Sequence, residues 1–148
     1  MPSKIPIAYI DMRVFAHATE DPEKVLVAAR NMLPIEVLEV VTFKRTNLTG
    51  HHRNPIILFE TRIKDKNVVQ AVFGKLASSL GIIDKETLNS EIENHLERGN
   101  LFIRLDKQNA YLNEAKISQA DAIHFKIHFK KQKTSEVIEI CRNFGLLP

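Results

Sequence analysis

Residues Asn100 to Leu112 read Asn-Leu-Phe-Ile-Arg-Leu-Asp-Lys-Gln-Asn-Ala-Tyr-Leu, and their pattern decides the fold. Leu101, Ile103 and Leu105 alternate with Phe102, Arg104 and Asp106, which is the period of a half-buried strand. The strand then runs into Asp106-Lys107-Gln108-Asn109, a polar knot expected to turn the chain by bonding local backbone. A core strand therefore delivers a cation, a carboxylate and an amide to one rim of the fold.

Two other stretches share this period. From Ile5 to His17, Ala8, Ile10, Met12, Val14 and Ala16 form an apolar face, and Tyr9, Asp11, Arg13, Phe15 and His17 form the other. From Ala122 to Lys130, Ile123, Phe125, Ile127 and Phe129 point inward, while His124, Lys126, His128 and Lys130 point outward. Ile35 to Arg45 is rich in Val, Ile and Phe and is expected to be a strand. Thr46 to Pro55 is then a polar loop. Ile56 to Lys64 is the return strand, with Ile57, Phe59, Thr61 and Ile63 opposing Leu58, Glu60 and Arg62. Tyr111 to Ile117 reads as a further short strand.

Helical spacing fills the gaps. Asp21 caps a helix that begins at Pro22, carries Val25, Leu26, Ala28, Ala29, Met32 and Leu33, and stops at Pro34. Asp65 caps a second helix that runs to Leu80 and ends at Gly81. Asp84 is expected to cap a third, with Leu88, Ile92 and Leu96 one turn apart, running to about Arg98 and closed by Gly99. The basic turn Lys130-Lys131-Gln132-Lys133 leads to a last helix capped by Thr134 or Ser135. It carries Val137, Ile138, Cys141 and Phe144 and ends at Gly145. This order predicts an α+β fold: a mainly antiparallel twisted sheet, helices packed on one face and the other face open. The 148 residues are read as one domain, residues 1–148.

Composition narrows the function classes. Hydrophobic content of 44% and charged content of 26% are those of an ordinary globular protein, and the net charge is +3. A sequence pI near 9.0 permits an anionic partner without demanding one. With a single cysteine, Cys141, no internal disulfide and no thiolate zinc cluster can form, which fits a cytoplasmic setting. No stretch approaches the roughly 18 apolar residues of a membrane span. Asn47-Leu48-Thr49 matches a glycosylation sequon but has no secretory signal to act with it.

The outward strand faces give the functional lead. Tyr9, Arg13, Phe15, His17, Arg62, Phe102, Arg104, His124, Lys126 and His128 interleave cations with flat rings. Such a face suits RNA, because cations meet phosphates while rings and guanidinium planes stack on bases. His51, His52 and Arg53 in the loop, and Lys107 with Gln108 in the knot, extend it. The bland reading is a charged, solvated sheet face with a few aromatics packed against a partner.

Complete catalytic and metal motifs are missing. His51-His52 lacks the further ligands that a metal site needs. His124 and His128 lie on a strand, where four residues span about 13 Å at roughly 3.3 Å each, too far for one ion. His17-Ala18-Thr19 is half of the paired His-x-Thr arrangement of RNA-ligating phosphoesterases, and no second copy follows. The five glycines build no phosphate loop. Cys141 sits on an apolar helix stripe. No catalytic residue, cofactor or metal is assigned.

Phe15-Ala16-His17-Ala18-Thr19-Glu20-Asp21, Gly50-His51-His52-Arg53-Asn54-Pro55-Ile56 and the stretch from Leu101 to Leu112 together resemble an archaeal family. It is described as a predicted exosome subunit or RNA-binding protein, similar in fold to the fifth large-subunit ribosomal protein. The likeness runs from about Ile7 to Lys130. Its Asp106-Lys107-Gln108 segment is shared with a sister family. The chain departs from the pattern at Arg53, where a small residue, often glycine, is usual, at Asn109 in place of alanine and at Asn113 in place of glycine.

The resemblance implies an RNA-linked context and exosome or other RNA-processing partners, and carries over no catalytic residue. Three readings follow. One is a non-catalytic RNA-binding, exosome-associated protein. The second is an assembly module, such as a homodimer or complex subunit, using the same face without RNA. The third is a phosphoesterase using His17, His51 and His52.

Overall fold

The computed structural model describes residues 6–131 and 133–148, and for His51 the backbone only. Ile5 and Gln132, named above in the first strand and the basic turn, lie outside the described residues. The strands are β1 (Ile7–Ala16), β2 (Lys44–Thr49), β3 (Pro55–Ile63), β4 (Leu96–Glu97), β5 (Asn100–Asp106) and β6 (Ala122–Phe129). They form one sheet in the order β2-β3-β1-β6-β5-β4, and every pairing is antiparallel. The helices are α1 (Pro22–Asn31), α2 (Lys66–Ser79), α3 (Ile82–Ser90), α4 (Ile92–His95), α5 (Lys107–Tyr111) and α6 (Thr134–Asn143). They cover one side of the sheet, giving the α+β architecture that the strand periods predict.

The core lies between sheet and helices. Ile10, Met12 and Val14 of β1, Leu101, Ile103 and Leu105 of β5, and Ile123, Phe125, Ile127 and Phe129 of β6 are all buried there. Val69, Val72 and Phe73 of α2 meet them, and Phe73 packs edge-on against Phe129 at 6.0 Å and Phe144 at 5.2 Å. Cys141 is buried in the same core, and burial pushes its thiol up to about 12. Among the described residues no helix is long and apolar enough to cross a membrane.

Caps fall largely where the sequence puts them. Asp21 accepts from Glu23 N and Asp65 from Asn67 N and Val68 N. The last helix differs: Lys133 is its N-cap position and no side chain caps it.

Four local expectations are corrected. Ile35 to Val41 is not a strand. Ile35–Val37 is a short 3-10 turn, and Val41 N bonds Val37 O at 3.1 Å, so that both valines are buried one helical turn apart. Burial there outweighs β-propensity. The strand starts at Lys44 and takes in Thr46 to Thr49, leaving a tip of residues 50–54.

The third helix does not run unbroken to Arg98. It breaks at Glu91, and Arg98 (φ 51°) with Gly99 (φ 80°) makes the left-handed two-residue turn of a hairpin joining β4 to β5. Asp84 caps no helix; it accepts from Ile117 N at 3.0 Å and ties that helix to the loop before β6. Finally, Tyr111 to Ile117 is not a strand. Asp106 caps the short helix α5 through Asn109 N, and only Ile117 bridges to Leu105.

Candidate nucleic-acid interface

Antiparallel register lines up the outward residues in rows across the sheet, since directly opposed side chains share a face. Lys44 pairs with Glu60, Glu60 with Arg13, Arg13 with His124, and His124 with Arg104, so one row crosses β2, β3, β1, β6 and β5. The next row is Arg62, Asp11, Lys126 and Phe102. A third holds Tyr9, His128 and Asn100. These rows border a groove of about 730 Å³, lined among others by Arg13, Lys44, Arg62, Phe102, His124 and Lys126.

Local bonds fix parts of this face. Asp11 accepts twice from Arg62, at 2.8 Å from Nε and 3.0 Å from Nη2, and holds the guanidinium 4.0 Å over the Tyr9 ring. The hydrogen bond to Asp11 raises the Arg62 pKa against the opposing effect of burial. His128 also stacks on the Tyr9 ring, at 4.8 Å, and its Nδ1 lies 2.7 Å from Asn100 Oδ1.

Arg13 and Arg104 form no salt bridge among the described residues, although they flank His124. Burial, followed by the charges of Arg104 and Arg13, lowers the His124 pKa below 6.5; Asp121 pulls the other way and Lys107 adds to the lowering. His124 is thus held neutral between two cations. Phe102 is 38% exposed and has no ring or cation partner among the described residues.

The polar knot does not join that face. Lys107 is 8% exposed. Its ammonium donates to Phe15 O, to Glu20 at 3.1 Å and to Asp121 Oδ2 at 2.7 Å. His17 Nε2 lies 2.9 Å from the same Asp121 oxygen. Burial alone would raise the Asp121 pKa, but the hydrogen bond and charge of Lys107, aided by His17, outweigh it and hold it below 3.8. His17, Glu20 and Asp121 have ligand atoms within 4.8 Å of one another, yet the Lys107 ammonium already supplies the cation of that group.

The structure therefore brings Arg13, Phe15, Arg62, Phe102, Arg104, His124 and Lys126 onto one face. His17 stands at its rim in the Lys107 cluster, and Lys107 lies beneath the rim. His52 and Arg53 sit at the β2–β3 tip, both with left-handed backbone (φ 56° and 63°). The side chain of His51 lies outside the described residues. Lys44 and Glu60 belong to the face and follow from the hairpin register once the strand is started at Lys44. Asp121 and Glu20, the partners of Lys107, are 14 and 87 positions away from it and leave no local signal.

The open antiparallel face over a helix-backed core is cation-rich, with Arg13, Lys44, Arg62, Arg104 and Lys126 against Asp11 and Glu60. A sequence model of an RNA-binding family matches residues 9–129, and the chain belongs to that family. It is 35% identical to the RNA-binding protein PAB1135 of Pyrococcus abyssi, over 97% of each chain. Among solved structures, it is similar to protein AF2318 of Archaeoglobus fulgidus, at 27% identity and TM-score 0.79, covering 93% of this chain and 99% of that one. It is also similar to Mth689 of Methanothermobacter thermautotrophicus, at 30% identity and TM-score 0.75, covering 93% and 97%.

Proposed function

We propose that this protein binds RNA through the open face of its sheet and performs no chemistry on it. The observation that carries this reading is the row Lys44–Glu60–Arg13–His124–Arg104, in which Arg13 and Arg104 form no salt bridge among the described residues. Arg13 and Arg104 stand two strands apart, about 10 Å at the usual strand spacing, and a phosphate laid along the row between them meets both cations. The family match and the name of the Pyrococcus relative support RNA as the anion. The absence of chemistry is supported by His17, one of the histidines of the phosphoesterase reading, because its ring is bonded to Asp121, which in turn accepts from the Lys107 ammonium in a structural cluster.

The proposed setting is the cytoplasm, beside the exosome or another RNA-processing assembly, and that part rests on the family resemblance. Anisotropy of a labelled RNA at low salt tests the binding. Binding by the wild type that falls in Arg104→Ala and Lys126→Ala supports the reading; no binding, or variants that bind as the wild type does, refutes it. Affinity capture with and without RNase tests the setting: exosome proteins should be recovered, and their loss after RNase marks an RNA tether.

A further inference from the structure

Phe102 stands on a ridge between two hollows. On its β6 side is the cationic groove described above. On its outer side is a smaller hollow of about 220 Å³, lined by Asn94, His95, Phe102, Arg104, Ser118 and Gln119, with Glu91 at its edge. The two hollows differ in chemistry. The groove offers cations. The outer hollow offers amides, a hydroxyl, an imidazole and a carboxylate, groups that pair with base edges, beside the single cation of Arg104.

The outer hollow is built from fixed parts. His95 Nδ1 lies 2.9 Å from Phe102 O, and its Nε2 lies 3.9 Å from Glu91, so the imidazole is anchored to the strand that carries Phe102. Ser118 N donates to Arg104 O at 3.0 Å, which holds the opposite wall on β5. The side-chain amides of Asn94 and Gln119 are exposed and make no hydrogen bond among the described residues. Arg104, two residues along the strand from Phe102, lies roughly 6.6 Å away at the usual strand rise.

We infer that this outer hollow receives one unpaired RNA base, stacked on Phe102 and contacted at its edge by Asn94 and Gln119, while the Arg104–His124–Arg13 row takes the adjoining phosphate. This deepens the RNA-binding reading and rests on it. It favours a single-stranded substrate, because a base inside a duplex must first be unpaired and unstacked, at a cost in free energy, before it can lie on a side chain. Glu91 keeps phosphate out of the hollow and accepts from a base amino group. Tyr9 cannot serve as the platform in the same way, since Arg62 and His128 already stack on it.

The test uses the full chain and a labelled mixed-sequence RNA of about twelve nucleotides, within the usual range of site sizes, as a single strand and as a duplex. The single strand should bind more tightly. Phe102→Ala should weaken that binding about tenfold, the scale of losing one stacked base, without changing its salt dependence. Asn94→Ala with Gln119→Ala should alter the order of affinity among the four homopolymers; both residues are exposed, so this pair stands whatever Phe102→Ala does to folding. Equal binding of duplex and single strand, or unchanged binding in both sets of variants, overturns the inference and leaves RNA binding intact. No binding of either RNA by the wild type overturns the RNA reading, and the inference with it.

Discussion

Replacing Lys107 by methionine keeps most of the apolar stem of the side chain and removes the ammonium that joins the end of β1 to the start of β6. The lysine side chain is 10% exposed, against 31% for Glu20 and 47% for Asp121. Stripping one partner from a fully buried ion pair costs about 3–5 kcal/mol. Here both carboxylates regain water once the lysine is gone, so the expected loss is about 2–3 kcal/mol. Urea unfolding at neutral pH reads it directly.

The pH dependence identifies its source. Asp121 is held below its ordinary 3.8 in the folded protein, so its contribution is present above 3.8 and is lost as the pH falls through the lower, folded value. In Lys107→Met only burial and His17 act on Asp121. The gap between wild type and variant should therefore be widest near neutral pH and close in acid. RNA binding should keep its salt dependence, because Lys107 lies under the rim. A loss below about 1 kcal/mol, a gap that does not change with pH, or a reduced salt dependence would each refute this account of the knot.

Three further outcomes follow from the same geometry. His124 is held below 6.5 in the folded chain, so the unfolded chain protonates first and stability falls as the pH drops below about 6.5; His124→Gln should flatten that decline in urea midpoints measured from pH 7 to 5. Phe73→Ala removes the ring between Phe129 and Phe144 and should cost about 3–5 kcal/mol, read as a lower melting temperature. Arg53 holds left-handed backbone at φ 63°, so Arg53→Gly should raise stability by up to about 1 kcal/mol in the same urea assay.

Much of the fold is legible in the sequence because its three strongest strands, β1, β5 and β6, are buried on one face and alternate cleanly. The same alternation places Arg13, Phe102, Arg104, His124 and Lys126 on the opposite face, so these were accessible without coordinates. What was not legible has physical causes. Ile35 to Val41 has strand-forming residues, yet tertiary burial of Val37 and Val41 winds it into a turn. The polar knot reads as a surface turn because Asp106, Gln108 and Asn109 are turn residues. Lys107 is drawn inward by Glu20 and Asp121, which only the folded sheet brings near.

The resemblance places glycine or another small residue at 53 and 113. Arg53 and Asn113 nevertheless keep positive φ, at 63° and 65°, so the departures change the residues and leave the turns left-handed. The outer hollow beside Phe102 combines α4, β5 and the loop before β6, and no periodicity links those three segments.

The central claim is that RNA phosphates lie along the row of Arg13, His124 and Arg104. Its most direct test is the slope of log affinity against log salt for a single-stranded RNA, between roughly 50 and 200 mM, in the wild type and in the double variant Arg13→Ala with Arg104→Ala. The account predicts binding that weakens with salt and a slope reduced by about 0.7 for each phosphate contact removed, about 1.4 in the double variant. A wild-type slope near zero, or a double variant with the wild-type slope, would contradict it.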